Sequence, residues 1–132
     1  MAAEAVCCFE YGDQGGTFNG SPLMTAIGSA VVETVGRPAF LADVTAKGEY
    51  LMDRLRELSA THGHGEVRGR GLLIALEIRG KDAGKVARSA MDHGLLINAP
   101  RPDTLRFMPA LNVTREEIDR MLVVLERVLR ES

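Results

Sequence analysis

Leu72-Leu73-Ile74-Ala75-Leu76-Glu77-Ile78 is the stretch on which the fold turns. Every residue but Glu77 is apolar, and the run is too short for an independent helix, so it reads as an interior strand. Downstream, Gly80 to Asp82 is a turn and Ala83 to His93 a short helix with Val86, Ala87, Ala90 and Met91 inward. Gly94 ends that helix, and Leu95-Leu96-Ile97-Asn98 reads as a second strand. Pro100-Arg101-Pro102-Asp103 is a tight connection into a third strand, Thr104-Leu105-Arg106-Phe107-Met108. Thr114-Arg115-Glu116-Glu117 is a capping box, opening a last helix that buries Ile118, Met121, Leu122, Leu125 and Leu129.

Upstream, Val67-Arg68-Gly69-Arg70-Gly71 leads into the decisive strand. Before it, Leu41, Val44, Gly48, Leu51, Leu55 and Leu58 recur at spacings of three and four and form one helical stripe. His62-Gly63-His64-Gly65 closes that helix. A preceding helix starts at Ser21-Pro22, where serine can cap free N–H groups and proline fits the first helical position. Gly36 and Pro38 end it. The pattern αα-β-α-β-β-α predicts an α/β (α+β) two-layer domain, a three-stranded sheet covered by about four helices.

Residues 1–20 differ from the rest. Val6 to Tyr11 reads as a short strand, and Gly12 to Gly20 as a glycine-rich loop with too few large apolar side chains for a core. The expected division is therefore 1–20, a strand and loop that must pair with something or be disordered, and 21–132, one compact domain.

Composition narrows the function. A net charge of −2, with thirteen arginines scattered among acids, gives no electrostatic footprint for nucleic acid. No apolar run approaches the roughly 20 residues that span a bilayer, and the N-terminus carries an acid and no basic region of the kind a signal peptide has. Cys7 and Cys8, the only cysteines, are adjacent, which fits a reducing, cytoplasmic setting and two buried or half-buried strand residues. No His or Cys stands at ligand spacing to them, so no metal site is expected.

Two places can carry chemistry. In Gly12 to Pro22, glycines let backbone N–H groups approach oxygen, Thr17 adds a hydroxyl, and a helix N-terminus follows, as a phosphate-binding edge requires. No Gly-Lys-Ser/Thr follows, and a plain connecting loop accounts for the same residues. On the third strand, alternation sets Leu105 and Phe107 on one face and Arg106 on the other, where its guanidinium fork can meet a carboxylate in two parallel hydrogen bonds. A salt bridge to a nearby acid is the alternative. His62 and His64 read as solvated loop residues, His93 as a helix C-terminal partner, and Glu77 as an end-of-strand surface acid.

Four segments then resemble one family. Gly12-Asp13-Gln14-Gly15-Gly16-Thr17-Phe18-Asn19-Gly20-Ser21-Pro22-Leu23 is similar to the segment that class III aminotransferases write G-D/E-H-G-x-T-F-G/S-G-N-P-L. Glu66 to Leu73 resembles their E-V-R-G-x-G-L-M/L, Gly94 to Asn98 their G-L-L-V/I-N, and Leu105 to Leu111 their L-R-F/L-x-P-P-L. The run Gly94 to Leu111 most resembles the acetylornithine type, with ornithine and succinylornithine enzymes close behind.

The resemblance implies a fold type I homodimer using pyridoxal 5'-phosphate, with 21–132 as its small C-terminal domain and 1–20 at the interface with the large domain. The implied reaction moves an amino group from acetylornithine or ornithine to 2-oxoglutarate, in arginine biosynthesis for the acetylornithine type. Thr17 falls where the family's threonine bonds the cofactor phosphate of the other subunit, helped by the backbone of Phe18, Asn19 and Gly20. Arg106 falls where the family's arginine binds a substrate carboxylate. Gln14, Asn19, Ser21 and Ala110 depart from the usual residues, and Ser21 is expected still to cap its helix. The family's Schiff-base lysine has no counterpart, because Lys47, Lys81 and Lys85 lack its context. The chain is thus expected to be a fragment, inactive alone and without stable cofactor binding. A stand-alone interaction module, or another class III activity such as an ω-amino-acid transaminase or aminomutase, are the alternatives.

Overall fold

A computed structural model describes residues 8–13 and 15–131. Val6, Cys7 and Gln14 therefore lie outside the described residues. Contacts divide the chain into two compact units, Met1–Arg37 and Pro38–Ser132.

In the first unit, residues 8–10 form no strand, and Cys8 is exposed, contrary to the half-buried strand expected there. The described residues of the unit include no strand to pair with it, and Glu10 instead closes a turn, its N–H donating to Asp13 Oδ2 at 2.8 Å and its carbonyl accepting from the Asp13 N–H at 3.2 Å. Helix α1, Pro22–Val35, begins with its proline as predicted, and Ser21 holds the extended N-cap conformation. The serine side chain makes no capping bond, contrary to expectation. Instead the Thr25 hydroxyl donates back to the Ser21 and Pro22 carbonyls, at 3.0 and 3.1 Å. None of the α1 residues is buried, and Leu23, Met24, Ile27, Val31 and Val32 are exposed. The division thus places α1 with the opening residues, whereas the sequence pattern grouped it with the C-terminal domain.

The second unit holds α2 (Pro38–His62), β1 (Val67–Arg70), β2 (Leu73–Glu77), α3 (Ala83–Asp92), β3 (Asn98–Arg101), β4 (Thr104–Phe107) and α4 (Arg115–Glu131). The sheet has four strands, all antiparallel, in the order β1-β2-β4-β3. The fold class is the α/β arrangement expected, with one strand more. That strand, β1, closes onto β2 through the two-residue turn Gly71-Leu72, with Arg70 opposite Leu73. Gly71 supplies the positive φ of +54° that such a turn needs.

A second correction concerns β3. The apolar Leu95 to Ile97 is not strand, and Leu96 is 83% exposed. The pairing falls on Asn98–Arg101, joined to β4 by Pro102-Asp103. Pro100 is tolerated because β3 is an edge strand, whose outer N–H groups have no partner to lose.

Burial alternates along β2, and one side of the sheet carries the core. Ile74 and Leu76 of β2, Leu105 and Phe107 of β4, and Val67 of β1 enter one core with Leu51 and Leu55 of α2, Val86 and Ala90 of α3, and Ile118, Leu122 and Leu125 of α4. The α2 stripe faces in from Val44 onward, while Leu41 and, on α3, Met91 are exposed. All three helices thus pack on one face of the sheet. Along β2 the other face carries Leu73, Ala75 and Glu77, all less buried than their neighbours. Two glycines permit close approaches, Gly48 between α2 and the β1–β2 turn and Gly69 between the paired strands β1 and β2. A side chain at Gly48 would meet the Gly71 carbonyl carbon at 2.6 Å, and one at Gly69 would meet the Ile74 Cα at 2.8 Å.

The capping box forms as read. The Thr114 N–H donates to Glu117 Oε2 at 2.8 Å, and the Glu117 N–H donates to Thr114 Oγ1 at 3.2 Å. The first of these bonds, to the charged carboxylate, lowers the Glu117 pKa.

Candidate functional site

The open face of the sheet gathers its polar groups by register. Arg106 stands opposite Ala75 on one side and Asn98 on the other, and Arg68 stands opposite Ala75 in turn. Directly opposed residues project to the same side of a sheet, so these four share one rung. The assignment is consistent along each strand. Leu105 and Phe107, flanking Arg106, are 0% and 4% exposed and sit in the core. Ile97 and Ala99, flanking Asn98, also pack against it.

Arg106 is half-buried, and its Nε is buried without a hydrogen-bond partner. It forms no ion pair with any described residue, so the salt-bridge alternative is not what the structure holds. Arg68, by contrast, lies 3.4 Å from Glu66 across a surface pair. A guanidinium with a buried, unpaired Nε and open distal N–H groups is poised for an anion, because desolvating such a donor without a partner is costly.

In the opening loop, Asn19 N–H donates to the Gly16 carbonyl at 3.1 Å, and Ser21 N–H to the Phe18 carbonyl at 3.3 Å. These turns leave the Thr17 hydroxyl and the N–H groups of Thr17, Phe18 and Gly20 unbonded among the described residues. Gly20 adopts φ +77°, which a side chain would disfavour. Thr17, Phe18, Asn19 and Gly20 are all exposed, and the uncapped start of α1 follows them. Free backbone donors, a hydroxyl and a helix N-terminus make a donor set that fits a phosphate group. Thr17 and its neighbours belong to the first unit and Arg106 to the second.

The remaining candidates resolve differently. His93 caps α3 as expected, with its Nδ1 2.9 Å from the Ser89 carbonyl and its Nε2 3.6 Å from Glu131. Glu77 is half-buried, and its Oε2 accepts from the Glu66 N–H at 3.3 Å. His62 ends α2, 3.4 Å from Glu126. His64 is not the solvated loop residue expected. It is 8% exposed, and both ring nitrogens are buried without partners. The cause is local. His64 N–H bonds the Ser59 carbonyl, Gly65 N–H bonds the Glu77 carbonyl, and Ser59 Oγ donates to the Gly65 carbonyl. These bonds fold the loop inward. Among the described residues, no group of three or more His, Cys, Asp or Glu could hold a metal ion, and no helix is long and apolar enough to cross a membrane.

Burial lowers the His64 pKa, and the nearby His62 and Lys81 lower it further. The unfolded chain, titrating near 6.5, therefore takes up the proton first as pH falls. Stability from neutral His64 is complete above about pH 6.5 and declines below it. The urea midpoint is expected to fall between pH 7.5 and 5.5, and His64→Leu should flatten that dependence. An unchanged slope in the variant would remove His64 as its source.

Residues 1–129 match the family model described as "Aminotransferase class-III". The chain is 52% identical to an acetylornithine aminotransferase of Ralstonia nicotianae, over 98% of its own length and 33% of that protein. It is 41% identical to the acetylornithine aminotransferase of Caldanaerobacter subterraneus, over 99% of this chain and 34% of that one. Among solved structures, N-acetylornithine aminotransferase from Stenotrophomonas maltophilia superposes with a TM-score of 0.78 at 30% identity, covering 83% of this chain and 31% of that one. The chain thus spans about a third of the length of the curated relatives it matches.

Proposed function

The chain belongs to the class III aminotransferases, and from that premise we propose that it is the small-domain part of an acetylornithine-type enzyme, together with its cofactor-phosphate loop. The observation that carries this is Arg106: a guanidinium on the open face of the sheet, with a buried Nε and no ion pair to any acid among the described residues. The amino acceptor 2-oxoglutarate and the donor acetylornithine both present carboxylates, which such a fork recognises in two parallel bonds.

Thr17, with the backbone of Phe18, Asn19 and Gly20, would hold the phosphate of pyridoxal 5'-phosphate, bound in the partner subunit of a homodimer. When bound, that cofactor supplies the electron sink for amino transfer. The chain's own residues anchor and orient. Thr17 would donate its hydroxyl to a phosphate oxygen, and Arg106 would fix a carboxylate of the substrate. The covalent lysine would come from the portion of the enzyme that the relatives possess beyond this third, and residues 1–20 would lie at that boundary. A cytoplasmic setting suits this reading.

The intact protein carrying this chain, supplied with pyridoxal 5'-phosphate, should convert acetylornithine and 2-oxoglutarate into glutamate and the N-acetyl semialdehyde left by the donor amine. The isolated 132-residue chain should form none. Glutamate from the isolated chain would overturn its incompleteness. Turnover of ω-amino acids in place of acetylornithine would move the intact enzyme to another class III activity.

A further inference from the structure

We propose that Asn98 is the second jaw of the carboxylate site, its side-chain amide donating to the same substrate carboxylate that Arg106 grips. The inference deepens the reading above and rests on Arg106 meeting a carboxylate.

Three observations carry it. First, the hairpin register sets Asn98 directly opposite Arg106, so both side chains rise from one rung to one side. Second, neither is spent on the fold. Asn98 is exposed with its amide unbonded among the described residues, and Arg106 lacks a partner for its Nε. Third, the placement is enforced. Ile97 and Ala99 pack against the core, so Asn98 between them must point outward. The register then shifts between Asn98 and Arg101, and Asn98 is the residue paired with Arg106 before the shift.

The chemistry of the pair is complementary. An ionised carboxylate offers two oxygens and about four lone-pair positions. The guanidinium fork fills two of them in its own plane. A neutral amide on the adjacent strand can fill a third with its NH2, while its carbonyl oxygen accepts from a guanidinium N–H and keeps the fork from rotating. On the opposite flank Ala75 is too small to intrude, which leaves the rung open for the ligand between the strands.

The test uses the intact enzyme with 2-oxoglutarate as acceptor. Asn98→Ala should raise KM for 2-oxoglutarate about tenfold, with kcat within about twofold, as loss of a hydrogen bond to a charged group does. Asn98→Asp is the decisive variant. It keeps shape and volume but replaces a donor with an anion that pairs with Arg106 and repels the substrate, so KM should rise about a hundredfold. Asn98→Gln, which keeps the amide, should recover part of the loss.

An Asn98→Asp enzyme with unchanged KM would reduce Asn98 to a space-filling edge residue and overturn the proposal. Arg106→Ala, run beside it, separates the two readings. If Arg106→Ala raises KM and Asn98→Asp does not, only the second jaw fails. If neither does, the carboxylate site itself is lost. Circular dichroism of each variant excludes unfolding as the cause.

Discussion

Arg106→Ala is expected to lower kcat/KM of the intact enzyme for 2-oxoglutarate by about a hundredfold to a thousandfold, the scale of losing a bidentate, partly desolvated charge pair. On the proposed reading the loss should sit mainly in KM, since a carboxylate anchor that does not itself react would contribute alike in ground state and transition state. Arg106→Lys keeps the charge but offers a point donor where the carboxylate needs a planar fork, so it should fall between wild type and alanine. Folding should survive both. The guanidinium lies on the open face and bonds to no described residue, and its removal relieves a buried donor that has no partner. Steady-state kinetics with varied 2-oxoglutarate reads the effect. Alanine at wild-type efficiency would take Arg106 out of the site.

Gly48→Ala should produce the largest loss of stability. Helix propensity alone would favour alanine by about 1 kcal/mol. Packing opposes it. The new methyl would sit 2.6 Å from the Gly71 carbonyl carbon and 2.9 Å from its Cα, and those are backbone atoms of a hairpin turn that cannot swing aside. Either α2 backs away from the sheet, opening the contacts of Leu51 and Leu55, or the turn is distorted at a residue already held at positive φ. The cost of such overpacking is about 3 kcal/mol or more, so a net loss of about 2 kcal/mol remains. Urea denaturation of the full chain measures it. Glu49→Ala, one residue along and exposed, should stay within about 0.5 kcal/mol. A Gly48→Ala protein as stable as that control would show that the layers are looser than the geometry implies.

The sequence was most legible where side chains reported their own environment. The stripe on α2, the periodicity of α4 and the Thr114–Glu117 box each encode a helix in residues that do the packing or the capping. The alternation Leu105-Arg106-Phe107 assigned Arg106 to the open face, because a period of two leaves no other choice once its neighbours are buried.

What escaped was set by partners distant in sequence. Strand β1 contributes only Val67 to the core, because its other inward residue is Gly69, which has no side chain to signal burial. The motif Val67-Arg68-Gly69-Arg70-Gly71 therefore looked like a lead-in, when its glycines are there to let a hairpin close. Strand β3 was misplaced by three residues because Leu95-Leu96-Ile97 is apolar, whereas the register was fixed by the Pro102-Asp103 turn. Asn98 was read as the end of a strand, and only that register brings it beside Arg106. His64 looked solvated between two glycines, and its burial depends on the Ser59, Gly65 and Glu77 bonds that no local pattern reveals.

Helices on one side of the sheet and none on the other give the unit an electrical asymmetry. The oily layer behind the strands polarises weakly, so field lines from Arg106 and from Arg70 on the same face are pushed forward instead of being shared in all directions. A dianion diffusing nearby would feel that face before touching it. Dissolved ions would blunt the attraction over about 8 to 10 Å. On the proposed reading, the architecture that keeps the core dry would also favour the approach of a dicarboxylate to Arg106, with Glu77 on the same face confining that attraction to the far end of the sheet.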